Sequence, residues 1–100
     1  MPLKVIMTWD ILPEKEREYF EFVMREFIPG LQRLGFELSD AWATVYGKQP
    51  QILIGASLPD MAKVKKVLDS DEWKKLHEQL MVFVQDFSLK VAEAKTGFQF

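Results

Sequence analysis

The chain has 100 residues, 48% of them hydrophobic, and a formal net charge of −2. This size and composition predict a single globular domain over residues 1–100, and the absence of a basic excess argues against a nucleic-acid partner. With no cysteine, disulfides and thiolate chemistry are excluded, and no apolar run is long enough to cross a membrane, so we expect a cytoplasmic protein without a membrane partner.

The first third of the chain predicts a strand followed by a helix. Residues 3–12 are rich in β-branched and apolar residues and end at Pro13. Residues 13–34 show the helical period, with an expected kink at Pro29-Gly30 and an end at Gly35. The apolar positions that recur in this helix are Phe20, Val23, Phe27, Leu31 and Leu34.

The remainder predicts two strands, further helices and a last strand. Residues 37–46 and 51–58 read as strands joined in a hairpin by residues 47–50. A short helix follows over residues 61–68, and Ser70 is placed to cap a longer one. We assign to the longer helix an apolar stripe made of Trp73, Leu76, Leu80, Phe83, Val84 and Phe87. Residues 88–94 predict the final strand.

The resulting order βαββαβ predicts an α+β ferredoxin-like fold, a four-stranded antiparallel sheet with both helices on one face. The other face of the sheet would lie bare. Because the strand over residues 37–46 offers apolar side chains on both faces, a bare face would expose apolar surface. A second copy packed sheet to sheet would cover it, so we expect a homodimer.

Three stretches resemble the dimeric α/β-barrel superfamily, in which two ferredoxin-like protomers join their sheets into one barrel. They are residues 28–47 (IPGLQRLGFELSDAWATVYG), 51–68 (QILIGASLPDMAKVKKVL) and 69–80 (DSDEWKKLHEQL). Within the superfamily the chain is most similar to the NIPSNAP-like and antibiotic-biosynthesis-monooxygenase-like groups. NIPSNAP-like proteins tend to carry an arginine in the first strand, where this chain has Met7. The resemblance implies the fold and leaves the activity open, since the superfamily includes oxygenases, isomerases and ligand sensors.

His77 is the single histidine of the chain, one helical turn after Trp73. On a helical wheel it borders the apolar stripe that begins at Trp73, so it faces inward or lies at the edge of the core. An imidazole titrates near neutrality and would serve as a general base or a metal ligand. The alternative is a packed histidine on the flank of a helix.

Haem binding through His77 is a minor alternative that follows from the resemblance. In haem-degrading members a histidine four residues after an aromatic residue ligates iron, and Trp73 and His77 match that spacing. Those enzymes also carry an earlier tryptophan and an asparagine on strand one, and this chain has no asparagine and no tryptophan over residues 61–68. We therefore expect no cofactor and no metal site.

Asp40 and several aromatic residues are further candidates. We place Asp40 on one strand face with Leu38 and Trp42, where apolar surroundings would raise the pKa of its carboxyl and make it a base. The alternative is an edge-strand carboxylate facing water. Aromatic side chains that could line a pocket, or fill the core or a dimer interface, are Trp9, Trp42, Tyr46 and Trp73.

Two functional hypotheses remain open. In the first, the protein binds a small apolar or aromatic ligand between sheet and helices, with cofactor-independent oxygenase or isomerase chemistry in which His77 moves the proton. In the second, it is a non-catalytic homodimeric interaction module with a filled core.

Overall fold

The elements of the computed structural model, which describes residues 2–43 and 51–93, follow the predicted order of strands and helices. They are β1 (Leu3–Ile11), α1 (Glu16–Phe22), a π-helical turn (Val23–Phe27), α2 (Ile28–Arg33), β2 (Glu37–Ala43), β3 (Ile52–Leu58), α3 (Met61–Asp69), α4 (Asp71–Leu80) and β4 (Val84–Glu93). The sheet has the strand order β2-β3-β1-β4 with antiparallel neighbours throughout. The predicted α+β fold with a four-stranded antiparallel sheet is confirmed. The predicted hairpin loop and the last residue of the predicted final strand lie outside the described residues.

The sheet has one face packed against the helices. Alternate residues of β1 form the centre of the core, and their side chains are Leu3, Val5, Met7 and Trp9, none more than 9% exposed. Ile54 and Ala56 of β3 lie beside Met7 and Val5 on the same face. This alternation follows from the two-residue period of a strand, and it places the helices over β1 and β3.

The opposite side of the sheet is called here the open face. Its residues are Lys4, Ile6 and Thr8 of β1, Leu53, Gly55 and Ser57 of β3, Glu37, Asp40 and Trp42 of β2, and Ser88, Lys90 and Ala92 of β4. The open face is therefore mixed: it exposes apolar surface at Trp42, as the sequence predicted, and carries charged groups beside it. Ile6 is buried beneath its neighbours on this face, whereas Trp42 is 64% exposed.

The first helix contains a π-helical turn, and its buried residues are spaced four apart: Tyr19, Val23, Phe27 and Leu31. In a regular α-helix each step of four residues rotates a side chain by about 40° away from the previous one. A π-helical turn winds more slowly and restores the phase, so all four side chains face the core. The prediction that Phe20 belongs to this stripe is wrong, since Phe20 is 54% exposed and Tyr19 takes the buried position.

The irregularity expected at Pro29-Gly30 falls one turn earlier, in the segment Val23–Phe27. Proline has no N–H to bond the carbonyl four residues before it, which for Pro29 is that of Arg25. The winding is therefore relaxed in the turn that precedes Pro29. Gly30 then brings α2 close to α4, because a side chain there would meet the Leu76 side chain at 2.5 Å.

The second half of the chain departs from the prediction where α4 ends. Ser70 caps α4 as predicted, with its hydroxyl accepting a hydrogen bond from the Trp73 N–H at 3.2 Å. The helical stripe predicted through Phe87 is wrong, because α4 ends at Leu80 and β4 begins at Val84. The short segment from Phe83 to Phe87 fits the period of a helix as well as that of a strand. Pairing of Val84 with Ile11 of β1 favours the strand. No helix among the described residues is long and apolar enough to span a membrane.

Gly35 ends the first helix with a backbone φ of 100°. A residue that has a Cβ atom adopts this left-handed conformation only at a cost in free energy. We expect Gly35→Ala to lower the free energy of unfolding by about 1 kcal/mol, and Gly35→Asn to lower it by less because asparagine tolerates left-handed backbone. Urea denaturation of both variants measures this. Equal losses for alanine and asparagine would contradict the conformational explanation.

Candidate functional site

Five rings form a closed cycle of contacts between the helices and the sheet, called here the aromatic cycle. The centroid separations around it are 5.8 Å for Trp9–Phe27, 6.4 Å for Phe27–Trp73, 5.7 Å for Trp73–His77, 4.6 Å for His77–Phe87 and 5.9 Å for Phe87–Trp9. The rings come from β1, the π-helical turn, α4 and β4. Ring pairs at these separations add to the stability that burial alone provides.

Trp9 is fully buried, and its indole N–H donates a hydrogen bond of 2.9 Å to the hydroxyl of Tyr19. The bond satisfies a polar group that would otherwise be costly in the core. Burial raises the pKa of Tyr19, and the bond from Trp9 opposes part of that rise. Tyr19 is thus a neutral phenol at physiological pH, and it joins β1 to α1.

A β-bulge places Phe87 in the aromatic cycle. The pairing of β1 with β4 shifts between Thr8 and Asp10, and Asp86 has a φ of 55° at this point. The Phe87 ring then stacks on Trp9 with an angle of 11° between the ring planes. Aspartate is among the residues that tolerate this backbone conformation, so the bulge needs no glycine.

His77 lies at the partly exposed end of the aromatic cycle. Its imidazole stacks on Trp73 with a 29° angle between the planes and meets Phe87 edge to face at 70°. These contacts give it the surroundings of a packed histidine on a helix flank. The residue is partly exposed, so the imidazole is not sealed in the core.

Asp40 does not have the apolar surroundings that the sequence predicted. The register of β2 with β3 shifts between Leu38 and Asp40, so Leu38 pairs with Ala56 on the helix side and Asp40 pairs with Gly55 on the open face. This bulge at Ser39 separates two side chains that a regular strand would hold on one face. The placement of Leu38 beside Asp40 is therefore wrong.

Asp40 instead forms an ion pair with Lys4 at 2.5 Å between Nζ and Oδ2. The hydrogen bond from Lys4 lowers the pKa of Asp40; partial burial opposes this, and the charge of Lys4 and the hydroxyl of Ser39 add to the lowering. The expected raised pKa is wrong, and Asp40 is a weak candidate for a base. The pair crosses Gly55, where a Cβ would lie 2.9 Å from Asp40 Oδ2 and 3.1 Å from Lys4 Cε.

The predicted aromatic residues are not gathered around one pocket. Trp9 and Trp73 belong to the aromatic cycle in the core, whereas Trp42 lies on the open face, on the other side of the sheet. Tyr46 lies outside the described residues. A single pocket lined by Trp9, Trp42 and Trp73 is thus incompatible with the fold.

A pocket that the sequence did not reveal lies between α2 and the strands β2 and β3, and it is called here the β2 pocket. It is open to solvent, has a volume of about 220 Å³, and is lined by Ile28, Leu38, Ser39, Asp40, Ala41 and Ile54. Its side chains on the helix side are apolar. Ala41 lines this pocket with a small side chain, which leaves the space unfilled. A single alanine in a strand is not a distinctive sequence pattern, so the sequence alone did not indicate the pocket.

A second open pocket lies on the outer surface between the helices and is polar. It has a volume of about 430 Å³ and is lined by Glu26, Arg33, Glu72, Lys75, Leu76 and Gln79. Arg33 and Glu72 form an exposed ion pair across it at 3.2 Å. His77 lines neither this pocket nor the β2 pocket. Among the described residues, no group of three or more His, Asp or Glu side chains is arranged to hold a metal ion.

Comparison with known families and with curated proteins found no match by sequence. Solved structures do match. A NIPSNAP family protein from Agrobacterium tumefaciens is 17% identical with a TM-score of 0.71, over 95% of this chain and 94% of that one. An ethyl tert-butyl ether D (EthD) family protein from Bacillus halodurans is 18% identical with a TM-score of 0.74, over 95% and 100%.

An antibiotic biosynthesis monooxygenase is similar as well, with 20% identity and a TM-score of 0.67 over 94% of this chain and 99% of that one. At these identities the likeness shows the fold alone, a ferredoxin-like α+β fold that this chain shares with the NIPSNAP family, EthD family and antibiotic biosynthesis monooxygenase structures. The resemblance inferred from the sequence is confirmed at that level.

The Lys4–Asp40 ion pair predicts a pH dependence of stability. A carboxyl whose pKa is lowered by folding stabilises the folded state above its unfolded pKa of about 4, and this contribution is lost as the pH falls through the folded pKa. We therefore expect the stability difference between wild type and Asp40→Asn to be present at neutral pH and to disappear in acid. Urea denaturation across the pH range measures it. In a Lys4→Met background the same comparison should depend little on pH; an unchanged dependence would exclude Lys4 as the cause.

Proposed function

We propose that this protein is a homodimer that binds a small apolar or aromatic molecule in the β2 pocket. The observation that carries the proposal is the pocket itself, whose apolar lining comes from Ile28 of α2, Leu38 and Ala41 of β2, and Ile54 of β3. Ligand sites in small domains are concave and mostly apolar, with a few polar groups that fix orientation.

The size of the β2 pocket supports a small ligand. Its volume is about 220 Å³, and a protein cavity of ~150 Å³ suffices for benzene. Polar groups are limited to Ser39 and Asp40 at the bulge of β2, where the Ser39 hydroxyl lies 3.3 Å from the Gly55 carbonyl oxygen. A single ring with one polar substituent fits this combination of volume and lining.

The open face supports a homodimer. Trp42 is 64% exposed there, Leu53 lies beside it on β3, and Ile6 lies on the same face of β1, one strand further away. A large indole exposed beside aliphatic groups favours burial against another surface. The superfamily that shares this fold joins two sheets in a barrel, so a second copy of this chain is the partner we propose.

A second candidate is oxygenase or isomerase chemistry with His77 as the proton-transfer group. It is supported by the similarity to an antibiotic biosynthesis monooxygenase and by the partial exposure of the imidazole. His77 contacts β4 through Phe87, and β4 and β2 are opposite edges of the sheet. A substrate of this chemistry would therefore bind at the exposed end of the aromatic cycle, away from the β2 pocket.

A third candidate is the non-catalytic interaction module. The aromatic cycle favours it, because its rings fill the space between α4 and the sheet in which a substrate would otherwise lie. If no compound raises the melting temperature of the wild-type protein, the interaction module is favoured over a ligand-binding protein.

Filling the β2 pocket tests the proposed site. We expect phenol- and quinone-like compounds to raise the melting temperature of wild type, and Ala41→Leu to lose most of that rise because the larger side chain occupies the pocket. Thermal shift measurements with these compounds, haem and flavin provide the test. The matched control is Ala43→Leu, an exposed residue of β2 that does not line the pocket. Equal shifts for both variants would contradict binding in the β2 pocket.

Substitution of His77 separates packing from chemistry. We expect His77→Ala to lower the free energy of unfolding by about 1–2 kcal/mol, because the ring contacts with Trp73 and Phe87 are lost, and His77→Phe to retain most of the stability. Denaturation measures this effect. If His77 moves a proton, both variants lose turnover, measured as oxygen consumption for an oxygenase or as product formation for an isomerase; a loss confined to His77→Ala would assign the effect to packing.

A further inference from the structure

Helix α1 is a short segment with an irregular turn at each end. It has seven residues, and the π-helical turn Val23–Phe27 follows it directly. Two residues before it begins, Glu14 has a φ of 68°, a left-handed conformation that glutamate adopts only at a cost in free energy. The backbone on both sides of α1 is therefore irregular, and a rotation of α1 about its own axis can be absorbed at these two turns.

Two adjacent aromatic residues of α1 lie in opposite surroundings. Tyr19 is 2% exposed in the core, whereas Phe20 is 54% exposed on the surface. Their rings contact each other edge to face, with 5.1 Å between the centroids. Because one residue of an α-helix corresponds to a rotation of about 100°, a rotation of α1 by that angle exchanges the positions of the two rings.

The sequence of the first helix fits a second register, in which Phe20 is the buried residue. Phe20 precedes Phe27 by seven residues, so a regular α-helix would place the two side chains within about 20° of each other. Tyr19 would then lie about 80° from Phe27, at the edge of the buried side. Without the π-helical turn, the helix would thus turn Phe20 into the core and Tyr19 out of it.

One hydrogen bond distinguishes the two registers. The hydroxyl of Tyr19 accepts the indole N–H of Trp9, and a phenylalanine in the same position offers no acceptor. The observed register therefore gains this bond and gives up one regular helical turn. The irregular turn costs little, because Pro29 has no N–H for the carbonyl of Arg25 to accept. The two registers are thus close in free energy.

We propose that α1 exchanges between two registers in which either Tyr19 or Phe20 packs over Trp9. In the minor register the segment Val23–Phe27 is wound as a regular α-helix. A minor state of this kind is populated at about 0.1–10%, and shifts of helix register take place in microseconds to milliseconds. In the minor register the indole N–H of Trp9 has lost its partner, so a hydrogen-bond acceptor at this point would favour that register.

Nitrogen-15 relaxation dispersion by NMR tests the exchange. The probes are the indole N–H of Trp9 and the backbone amides of residues 16–27, in wild type, Tyr19→Phe, Phe20→Gln and the double variant. We expect Tyr19→Phe to raise the population of the minor register about tenfold, because it removes the hydrogen bond that favours the observed register and keeps the ring.

Phe20→Gln blocks the minor register and is expected to remove the exchange in both backgrounds, because an amide side chain is costly to bury in an apolar core. The matched control is Met61→Gln, the same kind of change at a residue of α3 that is 46% exposed, and it should leave the exchange unchanged. Absence of exchange in Tyr19→Phe would overturn the proposal. Exchange that persists in the double variant, or that Met61→Gln removes equally, would overturn it as well.

Discussion

The hydrogen bond between Trp9 and Tyr19 is the constraint on which the other packing depends. A fully buried indole needs an acceptor for its N–H, and Tyr19 supplies it only if residue 19 faces the sheet. The position of Tyr19 determines which side of the first helix faces the sheet. The π-helical turn keeps Phe27 and Leu31 on that same side. On the other side of Trp9, stacking with Phe87 is made possible by the bulge in β4. The side chain of Trp9 thus joins β1 to both α1 and β4.

The same packing divides the layer between helices and sheet into two unequal halves. Over β1 and β4 the aromatic cycle fills the space, and His77 lies at its outer end. Over β2 the small side chain of Ala41, which follows Leu38 on the helix side, leaves space unfilled, and the β2 pocket remains. The location of the pocket is therefore a consequence of where the large rings are placed, and it lies at the opposite edge of the sheet from the histidine.

The sequence predicted the order of elements well, because strand and helix periods are strong over the long segments and Ser70 and Gly35 mark helix ends. The predictions fail where one extra residue in a helix or strand changes which side chains face the core. One extra residue in the π-helical turn exchanged Phe20 for Tyr19 in the core, and one at Ser39 turned Asp40 away from Leu38. Phe87 fitted a helical stripe as well as a strand, and only its pairing partner in β1 decides between them. The candidate site was harder still, since the Lys4–Asp40 pair joins residues 36 positions apart across a glycine.

The three tryptophans lie in different surroundings, which gives the protein a built-in optical label. Trp9 and Trp73 are shielded in the core, at 0% and 6% exposure, and Trp42 is 64% exposed on the open face. In the isolated chain, a water-soluble quencher of indole fluorescence reaches Trp42 and leaves the other two emitting. Emission can thus report separately on the core and on the open face without any dye attached to the chain.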